Sequence, residues 1–132
     1  MTKLTLVKSY AEGINQAPRK VALVASLVRN RTVADAIVIL SHTPKRSALP
    51  VKKAIESAKG NAINNHGLDG KTLMITTLSV TSGTRLKRYN PAARGRMLPF
   101  QKKTANILVE LTGDVKPVKK PIQKTIDKKE SK

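Results

Sequence analysis

Between Gly70 and Val109 the chain carries no Asp or Glu, and inside that interval the stretch from Ser79 to Lys103 holds seven Lys or Arg. No carboxylate close in sequence can neutralise this charge, so something outside the chain must. Two runs flank the stretch, Leu-Met-Ile-Thr-Thr-Leu-Ser-Val from Leu73 to Val80 and Asn-Ile-Leu-Val-Glu-Leu from Asn106 to Leu111. Both have the β-branched and apolar make-up of strands, and together they read as the arms of one hairpin. If the first arm stays extended from Lys71 to Arg85 it spans about 45 Å at roughly 3.3 Å per residue. A compact body built from the remaining chain is only about 30 Å across. The tip, near Arg85 to Arg96, therefore stands clear of the body. An isolated two-stranded ribbon is marginal in water and a bare strand edge invites aggregation; a projecting cationic finger makes sense when an anionic surface encloses it.

The remaining composition agrees with this. In 132 residues, 26 Lys plus Arg stand against 8 Asp plus Glu, a net charge of +18. That imbalance favours polyanionic partners, either nucleic acid or an anionic membrane surface. The absence of Cys removes disulfides, thiol nucleophiles and thiolate metal sites. The apolar start from Leu4 to Val7 is too short for a signal-peptide core, and no run approaches the roughly 20 residues of a membrane span, so a cytosolic protein is expected. His42 and His66 fall at predicted helix ends, outside any metal-ligand spacing, and the carboxylates are scattered; loop or capping roles suit both histidines. Ser57 and Ser79 have no base partner in sequence, and Arg94-Gly95-Arg96 is not a glycine-rich phosphate loop. Nothing points to catalysis, a metal or a cofactor.

Taken in order, Lys3 to Tyr10 alternates as a short strand, Leu4 and Leu6 on one side and Thr5 and Val7 on the other, the third strand of a small antiparallel sheet. Glu12 to Asn15 is expected to turn the chain. A first helix runs from Pro18 to Arg29 with Val21, Val24, Ala25 and Val28 on one face, widened by Leu23 and Leu27. Asn30 supplies a left-handed stop. Thr32 and Asp35 have capping spacing ahead of a second helix with Val33, Ala36, Ile37 and Leu40. Thr43-Pro44 reads as the cap and first turn of a third helix that Pro50 kinks or restarts. From there Val51, Ala54, Ile55, Ala58 and Ala62 repeat until Asn64-Asn65-His66-Gly67. The small residues Ser57, Ala58, Gly60 and Ala62 predict close backbone packing along that helix. The fold class is α+β: three helices on a three-stranded antiparallel sheet, with a long protruding hairpin. The domain covers 1–113, including the hairpin at 79–103, and 114–132 is a Lys-rich tail expected to be disordered until bound.

Within the finger, Gly83 and Gly95 allow unusual backbone angles while Pro91 and Pro99 stiffen it. Arg85, Arg88, Arg94 and Arg96 can each donate paired hydrogen bonds to phosphate oxygens, and Lys87, Lys102 and Lys103 act as mobile point charges. Arg19, Lys20, Arg29 and Arg31 bracket the first helix, and Lys52, Lys53 and Lys59 share a face of the third; each of these taken singly also fits a solvated surface. The aromatic residues are Tyr10, Tyr89 and Phe100, too few for a platform that stacks successive unpaired bases. Recognition should then rest on backbone, shape and the 2′-hydroxyl of folded RNA, although charge alone does not separate RNA from DNA.

Three blocks carry a resemblance: Arg19-Lys20-Val21-Ala22-Leu23-Val24-Ala25-Ser26-Leu27-Val28-Arg29; Ser57-Ala58-Lys59-Gly60-Asn61-Ala62 with Asn65; and Gly83 through Leu86-Lys87-Arg88 to Pro91-Ala92-Ala93-Arg94-Gly95-Arg96. In order and spacing they resemble the family of ribosomal protein twenty-two of the large subunit, over roughly Lys3 to Leu111. The resemblance implies a body of three helices on a three-stranded sheet at the exterior of the large subunit, near the exit of the peptide tunnel. It also implies a hairpin that runs through ribosomal RNA to the tunnel wall, where Leu86, Lys87, Arg88, Tyr89, Asn90, Pro91, Ala92, Ala93 and Arg94 form the tip beside the nascent polypeptide and affect macrolide access. Arg19 and Lys20 would contact RNA at the start of the first helix. The implied partners are large-subunit RNA and neighbouring ribosomal proteins, without a membrane and without a homo-oligomer, in a cytoplasmic, ribosome-bound protein that is not an enzyme. Departures from the family pattern include Ala17 for a capping Ser, Ala22 and Ser26 for Arg and Asp, Asn30 for Gly, and Thr104-Ala105-Asn106 without the usual Ser-His before Ile107. The alternative reading is a free-standing architectural nucleic-acid-binding protein.

Overall fold

Alternation of apolar side chains decides the sheet. The computed structural model describes residues 5–115. In order these form β1 (Thr5–Ile14), α1 (Pro18–Ala25), α2 (Val33–His42), α3 (Ala48–Asn64), β2 (Met74–Pro91), a short 3-10 turn (Ala93–Gly95) and β3 (Met97–Gly113). The strands pair antiparallel in the order β1-β3-β2. On the central strand, Ala105, Ile107, Val109 and Leu111 are all completely buried; α3 lies across β1 and β3, and α1 against β2. Along β2 the buried residues are Ile75 and Leu78, three apart, because a register shift between Ile75 and Thr77 inserts one residue. Such a bulge returns the next apolar side chain to the core face. The Lys-rich tail beyond 115 and the first positions of the expected leading strand, Lys3 and Leu4, lie outside the described residues.

Several elements depart from the sequence reading, each for a local reason. The first strand runs on past Tyr10 to Ile14, through an irregularity after Ala11 where Gly13 takes φ +67°. Its inward residues are Val7 and Ser9, while Leu6 faces out. α1 ends at Ala25 instead of Arg29, since Leu27 and Val28 donate to carbonyls only three residues back, at 3.2 Å each, which tightens the last turn. Val28 is still buried, and Asn30 holds the expected left-handed angle at φ 57°. Leu23 and Leu27 do not widen the buried stripe; both face solvent.

The Thr32 cap forms: its Oγ1 accepts from the Asp35 backbone N–H at 3.2 Å and its hydroxyl donates to Asp35 Oδ2 at 2.7 Å. Thr43 closes α2 and does not open α3, its hydroxyl donating to the Ile39 carbonyl. α3 starts at Ala48, so Pro50 sits in its first turn, where an N–H would have no intrahelical acceptor; it neither kinks nor restarts the helix. The expected close packing at Gly60 is absent, because a Cβ there would meet nothing within 4 Å. Ala54, Ala58 and Ala62 make the close approach instead. The core is entirely aliphatic: Tyr10, Tyr89 and Phe100 are all exposed.

Two contacts tie the base of the hairpin to the body. At Gly83, beside a second register shift in β2, a Cβ would stand 2.6 Å from Thr104 Oγ1 and 2.9 Å from Asn106 Oδ1. Those atoms are already occupied, the Thr104 hydroxyl donating to the Thr84 carbonyl and Asn106 Oδ1 accepting from the Gly13 N–H. On the outer face, Lys8 and Glu110 are register partners, with Nζ and Oε1 2.9 Å apart. The Lys8 ammonium, helped by the Thr77 hydroxyl, holds the Glu110 carboxyl below its usual pKa.

The Gly83→Ala substitution should lower stability by about 1–3 kcal/mol, as overpacking does, read as a fall in urea midpoint with unchanged m-value. Because the folded-state pKa of Glu110 is depressed, its contribution is present at neutral pH and disappears as pH falls through the folded value. Measured urea midpoints of the Glu110→Gln variant should accordingly fall less steeply than wild type from roughly pH 5 down to pH 3.

Candidate nucleic-acid interface

From Thr84 to Lys103 every residue except Ala92 is exposed. The ladder from Arg85↔Lys103 to Pro91↔Met97 is regular and carries the ribbon about 20 Å beyond the body. Cross-strand partners share a face. Leu86, Arg88 and Asn90 therefore lie with Leu98, Phe100 and Lys102 on one side, and Arg85, Lys87 and Tyr89 lie with Pro99, Gln101 and Lys103 on the other. Cations occupy both faces, so a flat anionic surface would leave half of them unanswered. Tyr89 and Phe100 fall on opposite faces and cannot combine into one stacking platform.

Among the described residues the ion pairs are Lys8–Glu110 and Lys52–Glu56. Neither involves the hairpin. Arg88 donates to the neighbouring Lys87 carbonyl at 2.9 Å, which neutralises nothing. At the tip, Arg94 and Gly95 are successive left-handed residues with φ 59° and φ 69°, and the Ala92 N–H donates to the Arg96 carbonyl at 2.8 Å. An arginine is unusual at such an angle, and here the turn holds its backbone there while the side chain stays exposed.

On the body, Arg19 and Lys20 occupy the first turn of α1, whose N-cap position, Ala17, offers no capping side chain. Lys20, Lys102 and Lys103 meet around an open cleft of about 590 Å³ that Lys45 and Arg46 also line. This pair was missed by the sequence reading, which assigned the segment after Thr43-Pro44 to a helix; the adjacent Lys45-Arg46 doublet was the available signal. Other expected contacts are partly used within the chain. Arg29 Nε donates to the Leu78 carbonyl at 3.0 Å, and Lys52 Nζ lies 3.0 Å from Ser41 Oγ and 3.9 Å from Glu56. Arg31 is exposed where its carbonyl accepts from the Ile75 N–H. Lys53 lines a smaller cleft of about 230 Å³ beside Tyr10 and Ile14, and Lys59 is half-buried. Among the described residues no group of three or more His, Cys, Asp or Glu is placed to hold a metal, and no helix is long and apolar enough to cross a membrane.

The fold is an aliphatic α+β body carrying a ribbon that presents cations on both faces. Residues 9–112 match the model of the family described as Ribosomal protein L22p/L17e. The chain is 44% identical over 102 residues to the large ribosomal subunit protein uL22 of Mesoplasma florum, covering 77% of this chain and 91% of that one. It is 45% identical over 96 residues to the large ribosomal subunit protein uL22 of Metamycoplasma hominis, covering 73% and 74% respectively. The chain belongs to the Ribosomal protein L22p/L17e family, a family of structural proteins and not of enzymes.

Arg29 and Arg31 separate two roles. Arg29→Ala should cost the isolated chain about 1 kcal/mol through loss of the bond to Leu78, whereas Arg31→Ala should stay within about 0.5 kcal/mol of wild type, both measured by urea unfolding.

Proposed function

We propose that this protein is a structural constituent of the large ribosomal subunit in the cytoplasm, that it binds large-subunit ribosomal RNA, and that its hairpin passes between RNA segments to line the peptide exit tunnel. The observation that carries the reading is the two-faced distribution of hairpin cations without a carboxylate partner among the described residues. Polyanion on both sides answers that arrangement, and packed RNA provides it. Arg85, Arg88, Arg94 and Arg96 bind phosphate oxygens, Lys87, Lys102 and Lys103 supply mobile charge, and Arg19 and Lys20 anchor the body. Arg29, Arg31, Lys52, Lys53 and Lys59 add further charge around it. Residues 86–94 form the part facing the nascent polypeptide. The protein works as one copy among neighbouring ribosomal proteins, holding RNA helices together during assembly and shaping the tunnel wall.

Co-sedimentation, a deletion at the tip and the salt dependence of RNA binding test this. After a salt wash, the protein should co-sediment with large subunits, and binding to generic duplex DNA as tight as to ribosomal RNA would favour the free-standing architectural alternative. Deleting Leu86 to Arg88 should leave incorporation largely intact while altering the response to macrolides; normal incorporation with an unchanged response would argue against a tip in the tunnel. For purified RNA, replacing Arg85 and Arg88 by Ala should reduce the slope of log K against log salt by about 0.7–0.9 per charge removed.

A further inference from the structure

The cleft at the root of the hairpin has more room and a different chemistry than phosphate binding requires. Its volume of about 590 Å³ falls within the range of sites that enclose a small organic molecule, roughly 300–1,000 Å³. Five cations line it, Lys20, Lys45, Arg46, Lys102 and Lys103, and among the described residues no acid does. Among them stands Leu23, an apolar side chain of α1 that is 66% exposed while Val21, Val24 and Ala25 of the same helix are buried. Below, the Ser47 hydroxyl donates to Gln16 Oε1 at 2.7 Å, fixing the loop before α1 to the start of α3. Both helices begin at this cleft without a side-chain cap or an acidic residue in the first turn, so no described side chain caps the positive ends of their dipoles. Lys102 and Lys103 belong to β3, which makes the cleft continuous with the cationic ribbon.

Resting on the reading of this protein as a ribosomal RNA binder, we infer that the cleft seats one unpaired nucleotide extruded from the RNA, its base against Leu23 and its flanking phosphates on the surrounding cations. A base brings an apolar face that Leu23 and the lysine stems can cover. The Gln16 amide N–H groups, which take no partner among the described residues, can donate to its edge. A base inside a helix keeps its faces stacked on its neighbours and cannot lay one on Leu23, so the site takes a bulged or unstacked position and fixes where along the RNA the hairpin begins.

The test uses the full chain and large-subunit ribosomal RNA. Leu23→Ala, at an exposed position, should fold normally and weaken binding by about tenfold without changing the salt slope, because it removes apolar contact and no charge. Lys45→Ala with Arg46→Ala should weaken binding and also lower the slope by about 0.7–0.9 per charge removed. A benzoylphenylalanine at position 23 should crosslink to a single unpaired nucleotide, whose chemical reactivity rises in the Leu23→Ala complex. Crosslinks to helical nucleotides, no crosslink while binding persists, or unchanged affinity of Leu23→Ala would each overturn the nucleotide pocket and leave the RNA-binding reading standing. Failure of the wild-type chain to bind this RNA at all would overturn both.

Discussion

The inward side chains of β3, pressed beneath the helices, are the contact on which the other features depend. Fully burying a Val, Leu or Ile contributes about 1.5–3 kcal/mol, and Ile107, Val109 and Leu111 are all completely buried on this one strand. The same strand continues outward as the return arm of the hairpin. A free two-stranded ribbon has no comparable stabilisation, so the direction and twist of the finger are inherited from a strand already locked into the body.

The placement of acidic residues completes the division of labour. The Asp35 carboxylate accepts from the Thr32 hydroxyl that caps α2, Asp69 accepts from the Lys71 N–H in the turn before β2, and Glu110 pairs with Lys8 across the sheet. Each of these carboxylates serves local structure in the body. None occurs between Gly70 and Val109, so stability of the body and attraction of the hairpin for anions do not compete for the same groups. The cations of the hairpin are thereby left without a carboxylate partner among the described residues.

Much of this was legible because it is local. The strand-like runs around Ile75 and Ile107, the valine face of α1, the left-handed Asn30 and the Thr32–Asp35 cap all follow from neighbours within a few positions. Errors arose where tertiary context decides. Pro50 reads as a breaker until the helix start is known, and Leu23 and Leu27 satisfy helical periodicity yet lie just beyond the width of the core. Leu78 changes face only because of a bulge that no spacing rule announces. The cleft around Lys20 is built from segments far apart in the chain, and Lys45 and Arg46 join Lys102 only after folding. Gly60, conversely, has open space where a Cβ would stand despite its place in a run of small residues.

The irregularity beside Gly83 has a geometric consequence. It interrupts β2 alone, between Ser82 and Arg85, while β3 passes the same level as one unbroken strand. A bulge bends the strand that contains it and increases its local twist, while the bond from the Thr104 hydroxyl to the Thr84 carbonyl spans the irregularity. The extra residue in β2 therefore sets the angle at which the finger leaves the body, and any anionic surface that receives it must match that angle.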